Sequence, residues 1–77
     1  MTDDTIINNA IAANLEAMES LLYEANTRAS EAVASICQGQ RNMAMGAVVG
    51  IESLLNDARA LYGAAVSLQR MALRARG

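Results

Sequence analysis

The sequence contains no proline, histidine, lysine, tryptophan or phenylalanine, and a single cysteine in 77 residues. Each absence removes a class of explanation. Without proline, and with glycine only at 39, 46, 50, 63 and 77, little interrupts a helix, and the turn-rich punctuation of a small β-protein is missing. Without histidine, the side chain that most often moves protons at neutral pH is gone. No Ser, His and Asp set exists for nucleophilic catalysis, no Gly-rich phosphate loop is followed by Lys, and the acids form no Glu-x-x-His motif. The protein is therefore not expected to be an enzyme or to carry a metal or cofactor. Cys37 alone excludes an internal disulfide and a cysteine cluster for metal. At an apolar helix position near a turn it reads as a small core residue, and a reactive thiol there would lack His or Lys to activate it.

Charge is equally restrictive. Eight carboxylates face six cations, all arginine, for a net charge of -2, which argues against nucleic acid as a partner. Met1-Thr2-Asp3-Asp4-Thr5 is acidic where a secretory signal is basic, and no apolar run approaches the roughly 20 residues of a membrane span. A cytoplasmic location is expected.

What is present is apolar but small. Hydrophobic residues make up 53% of the chain, and 16 residues are alanine. A core of that kind suits closely approaching helices, and a chain this short buries a modest share of its surface, so neighbouring copies are expected to complete it. In the first half Ile11, Leu15, Met18, Leu22, Ala25, Ala29, Ala32 and Ile36 alternate steps of three and four, the spacing of one buried helical stripe that Leu21 and Val33 widen. Asp3, Asp4 and Thr5 offer N-caps, so helix 1 is expected over about 5–37. Gln38-Gly39-Gln40-Arg41-Asn42 breaks the pattern, with Gly39 suited to a left-handed helix end and Asn42 to a new N-cap, giving a turn over about 38–42. Helix 2, about 43–75, repeats the spacing at Ala47, Ile51, Leu54, Ala58, Leu61, Ala65, Leu68 and Ala72, flanked by Leu55 and Tyr62, and ends in Arg70, Arg74 and Arg76.

These elements predict one all-α domain over 1–77, an antiparallel hairpin of two long helices. At 1.5 Å per residue each helix would span roughly 50 Å. Folding back near residue 39 aligns positions whose numbers sum to about 79, and Asp3 with Arg76, Asp4 with Arg74, Glu19 with Arg59 and Arg28 with Glu52 meet that condition as opposite charges. One continuous helix is the alternative, and an antiparallel pair between two chains fits the same pattern.

The least usual segment is Met43-Ala44-Met45-Gly46-Ala47-Val48-Val49-Gly50-Ile51, nine apolar residues covering the whole circumference of a helix. A single partner helix cannot cover every face, so Met43, Ala44, Met45, Gly46, Ala47, Val49 and Gly50 are candidate contacts to neighbouring subunits, Gly46 and Gly50 forming a small-xxx-small pair.

Met43-Ala44-Met45-Gly46, followed by Ala64-Ala65-Val66 and Gln69, resembles the Reb family of R-body proteins and its killing-trait segment, a likeness spanning residues 42–70, with Thr2-Asp3 near the start also similar. The resemblance implies a subunit of a bacterial cytoplasmic inclusion, a ribbon wound into a hollow roll that extends on acidification and disrupts a membrane. Partners would be copies of the chain and sister subunits, with membrane contact confined to the assembled form. Without histidine, an acid response falls to carboxylates, and Glu16, Glu19, Glu24 and Glu31 are the candidates, set against the simpler reading of a solvated acidic face. Two other classes are open: a small dimeric helical-bundle regulator or adaptor, and a peripheral membrane binder using the basic, amphipathic stretch from Ala58 to Arg76.

Overall fold

The computed structural model describes the backbone of residues 2–76 and the side chains of residues 4–75. Within them the chain is an all-α hairpin: α1 runs Thr2–Cys37, α2 Arg41–Val48 and α3 Ile51–Arg76. α1 contains neither Gly nor Pro in 36 residues, and its Ala, Leu, Met and Glu content sustains a helix that long. It begins at Thr2, earlier than the 5 expected, so Asp4 and Thr5 lie in the helix instead of capping it from outside. Asp4 there still meets the positive end of the helix dipole.

The turn is shorter than expected, occupying 38–40. Gly39 adopts φ 76°, the left-handed conformation that glycine enters without a Cβ clash. The Gly39 amide donates to the Ile36 carbonyl at 3.0 Å and the Gln40 amide to the Ser35 carbonyl at 2.9 Å, the paired bonds of a Schellman helix end. The expected N-cap, Asn42, lies inside α2. Gln40 precedes that helix without a side-chain cap, its carbonyl accepting from the Ala44 amide at 3.0 Å. The second arm is also not one helix: it breaks at 49–50, where Val49 keeps helical angles of φ -57° and ψ -37° and the Leu54 amide reaches the Gly50 carbonyl at a long 3.4 Å.

α1 packs along α3 and the end of α1 along α2, giving a rod with Cα extents of 58 × 15 × 12 Å. On the second arm every predicted position, Ala47, Ile51, Leu54, Ala58, Leu61, Ala65, Leu68 and Ala72, is buried or partly covered, together with Ala44, Val48, Gly50 and Val66. On α1 the seam is Ile7, Ile11, Asn14, Met18, Leu21, Ala25, Arg28, Ala32 and Ser35. Ile11, Met18, Ala25 and Ala32 belong to it as expected, but Leu15, Leu22, Ala29 and Ile36 are exposed. The stripe is turned by one residue at every second step. Polar seam residues are accommodated locally: the Asn14 side-chain amide donates to the Ala10 carbonyl at 2.9 Å, and Arg28 extends out of the seam to one side.

The charge pairs expected across the hairpin do not form among the described residues at Glu19–Arg59 or Arg28–Glu52. Arg28 Nη2 instead pairs with Glu24 Oε2 at 3.2 Å, one turn earlier in α1. An i, i+4 partner on the same helix needs no second element to be positioned, which favours it over a partner across the seam. The Asp3–Arg76 pair lies outside the described side chains.

Candidate assembly surface

The turn end carries the nine-residue apolar segment, and its residues divide by role. Ala44 is buried at 4% exposure, and Ala47, Val48 and Ile51 are partly covered by the hairpin itself. Met43, Met45 and Val49 project outward, Val49 with 75% of its surface accessible. The two glycines also part company. A Cβ built on Gly46 would meet open space, whereas one on Gly50 would lie 2.8 Å from Arg28 Nη1 and 3.2 Å from Arg28 Cζ. The guanidinium of Arg28 therefore crosses the break in the second arm, with its Nε buried and making no hydrogen bond. Gly50 serves a contact within the chain, while Gly46 leaves Met43, Met45 and Val49 standing over a small-residue surface.

The four candidate acids, Glu16, Glu19, Glu24 and Glu31, are all exposed. Glu16 and Glu19 border a shallow groove with Leu15, Met18, Leu22 and Tyr23 on the outer side of α1. Glu24 is held by Arg28, and Glu31 lies nearer the turn beside Ser35, Met43 and Ala47. They do not converge on one point. Cys37 is exposed, not the core residue its apolar surroundings suggested, because the rotated stripe turns it to the outer face near the turn.

A third surface was not distinguished by sequence reasoning. The residue after each of Asn14, Leu21, Arg28 and Ser35 is Leu15, Leu22, Ala29 and Ile36. The residue after each of Ala47, Leu54 and Leu61 is Val48, Leu55 and Tyr62. In an antiparallel pair these following positions fall on the same flank of both helices. The geometry agrees, since Leu15 and Tyr62 border one apolar groove together with Ile11 and Ala65. Near the open end, Asn8 and Gln69 border a smaller, more polar groove with Asp4, Ile7 and Ala72. Leu15, Leu22, Ile36, Leu55 and Tyr62 are each at least 42% exposed. The available signal was the flanking position of Leu55 and Tyr62 in the second half: an apolar row beside an unambiguous stripe on one helix implies a matching row on its partner.

No helix among the described residues is long and apolar enough to cross a membrane, and these residues contain no group of three Cys, Asp or Glu able to hold a metal ion. Comparison with protein-family models, with curated proteins and with solved structures finds no match. The likeness to the Reb family thus rests on the segment Met43-Ala44-Met45-Gly46 and the shorter similarities around it.

Proposed function

We propose that this chain is a structural subunit that polymerises through its helix faces into a ribbon or inclusion of the R-body kind. The observation that carries the reading is an inverted distribution of apolar side chains. The buried core of the hairpin consists of Ala25, Ala44, Ala58 and Ala65, while thirteen large apolar side chains among the described residues are exposed. Hydrophobic surface on that scale is ordinarily covered by a partner. Eight of the thirteen fall in two separate places, five along one flank and three at the turn end, Met43, Met45 and Val49. A rod with two separate contact patches engages a different neighbour through each, and contacts that do not close generate open polymers.

In this reading Met43, Ala44, Met45, Gly46, Ala47, Val49 and Gly50 form the turn-end contact, Ala44, Ala47 and Gly50 shaping it from within. Glu16, Glu19, Glu24 and Glu31 supply the response to acid: neutralising them removes repulsion between neighbouring rods and changes the curvature the ribbon prefers. Disruption of a membrane belongs to the extended assembly and not to the single chain.

Negative-stain electron microscopy of cells making the chain, alone and with its genomic neighbours, at neutral and acidic pH, tests the proposal. Ribbons or rolled cylinders are expected. Discrete particles of fixed size in every condition would replace the proposal with the second reading, a dimeric helical-bundle regulator or adaptor. Replacing all four glutamates with Gln is expected to move the pH at which the assembly extends; an unchanged midpoint would remove them from the mechanism.

A further inference from the structure

The apolar flank has dimensions and a pattern of its own. The chain exposes 5726 Å² of accessible surface. A compact monomer of 8.1 kDa exposes about 4,500 Å², so this rod carries about 1,200 Å² more than a compact chain of its mass. Obligate homodimers bury about 1,000 Å² or more from each partner. The excess of one chain therefore matches what one extensive interface with a second, identical chain removes.

The order of residues along the flank says how that second chain lies. From the open end toward the turn, the register pairs Asn8 with Gln69, Leu15 with Tyr62, Leu22 with Leu55 and Ala29 with Val48. The shared grooves place the first two pairs directly. The sequence of layers is polar, large, large, small, with Ile36 beside Arg41 closing the row at the turn. Two copies laid face to face with their turns at the same end bring each layer against itself: Asn8 meets Gln69 of the other copy, Leu15 meets Tyr62, and Leu22 meets Leu55. With the turns at opposite ends, Asn8 would lie against the apolar Ile36 of the other copy and lose the facing amides. The opposite flank offers no comparable apolar row, because Glu24, Glu31 and Asp57 interrupt its small residues and Met43 and Met71 stand apart at its two ends.

We infer that two copies of this chain pair through the Leu15, Leu22, Leu55 and Tyr62 flank into a parallel four-helix bundle, both turns at one end. This rests on the assembly reading and names its first contact. In the bundle each α1 neighbours its own α3 and the α3 of the other copy, so all adjacent helices are antiparallel.

Sedimentation velocity on the full chain, with circular dichroism over a dilution series, is the test. A dimer is expected, with a thermal midpoint that rises with concentration. Leu22→Glu combined with Leu55→Glu places four carboxylates in one layer of the bundle and should weaken association about 100-fold or more. A monomer at all concentrations, or a dimer that survives both substitutions, overturns the inference. Cross-linking keeps the test independent of whether the glutamate variant folds. With Cys37→Ser as background, a mixture of Leu22→Cys chains and Leu55→Cys chains should form the mixed disulfide, and Leu22→Cys alone should not. A disulfide between two Leu22→Cys chains would mean turns at opposite ends and overturns the parallel arrangement. Ribbons that still form from the glutamate variant would discard this flank and leave the subunit proposal standing. The expected cross-links without ribbons would keep the flank and discard the polymer.

Discussion

The seam of the hairpin and its apolar flank invert the usual division between inside and outside. The seam alternates alanines with larger apolar side chains, but only alanines are fully buried in it, and it admits Asn14, Arg28 and Ser35; the flank carries Leu15, Leu22, Leu55 and Tyr62 in the open. In a self-sufficient small domain the large side chains would be inside, because burying one leucine stabilises by about 1.5–3 kcal/mol and burying an alanine by far less. Here the seam sets how closely the two arms approach, and the flank holds the hydrophobic surface that a partner would cover. In the proposed assembly the seam sets the shape of the rod and the flank its association.

Substitutions at the seam should have the largest effect on the single hairpin. Ala58→Leu inserts three carbon atoms where the arms touch and is expected to cost about 1–3 kcal/mol, read as a lower thermal midpoint in dilute solution. If it stabilised the chain instead, the seam would be loose and the contrast with the flank would fail. Next comes the turn that holds seam and flank in register: Gly39→Ala forces a side chain into φ 76° and should cost about 1 kcal/mol. Gly46→Ala goes the other way. Its new methyl meets open space within a helix, so the hairpin should gain about 0.5–1 kcal/mol in chemical denaturation, while assembly through the turn end becomes weaker. On the flank, Leu22→Ala should change the dilute monomer by less than about 0.5 kcal/mol, since the leucine is already 43% exposed, and its effect should emerge only as concentration rises. Smallest of all is Glu24→Gln, which removes an exposed pair with Arg28 worth roughly 0–0.5 kcal/mol and should scarcely move the midpoint.

The same contrast explains what could be read from the residues alone. The second arm has one apolar row of clear dominance, so Ala47 through Ala72 mark its buried side without ambiguity. The left-handed turn at Gly39 was equally legible, because no other residue between the two periodic segments suits that conformation so well. α1 has two adjacent apolar rows sharing Ile11, Met18, Ala25 and Ala32. Hydropathy favours the row with Leu15, Leu22 and Ile36, whereas the hairpin uses the one with Asn14, Leu21 and Arg28. A periodicity argument rewards size, and this seam rewards closeness. The break at 49–50 and the seating of Arg28 over Gly50 were out of reach for a different reason. They depend on which residue of the opposite helix lies across from a glycine, which is settled only once the register is known to within one position. Expected charge pairs summing to about 79 located the fold-back but not the partners, since Arg28 reaches Glu24 within its own helix.

A seam in which only alanines are fully buried has a calorimetric consequence. The heat capacity of unfolding grows with the apolar area that becomes hydrated, typically about 12–15 cal/mol/K per residue in globular domains. A hairpin that fully buries only Ala25, Ala44, Ala58 and Ala65 and leaves its larger seam residues partly exposed hides less such area, so its own folding should contribute a heat-capacity change below that range. The larger negative change should accompany burial of the leucines and tyrosines between chains. Cold would then dissociate the assembly more readily than it unwinds the helices, and storage on ice would leave rods where warming leaves bundles.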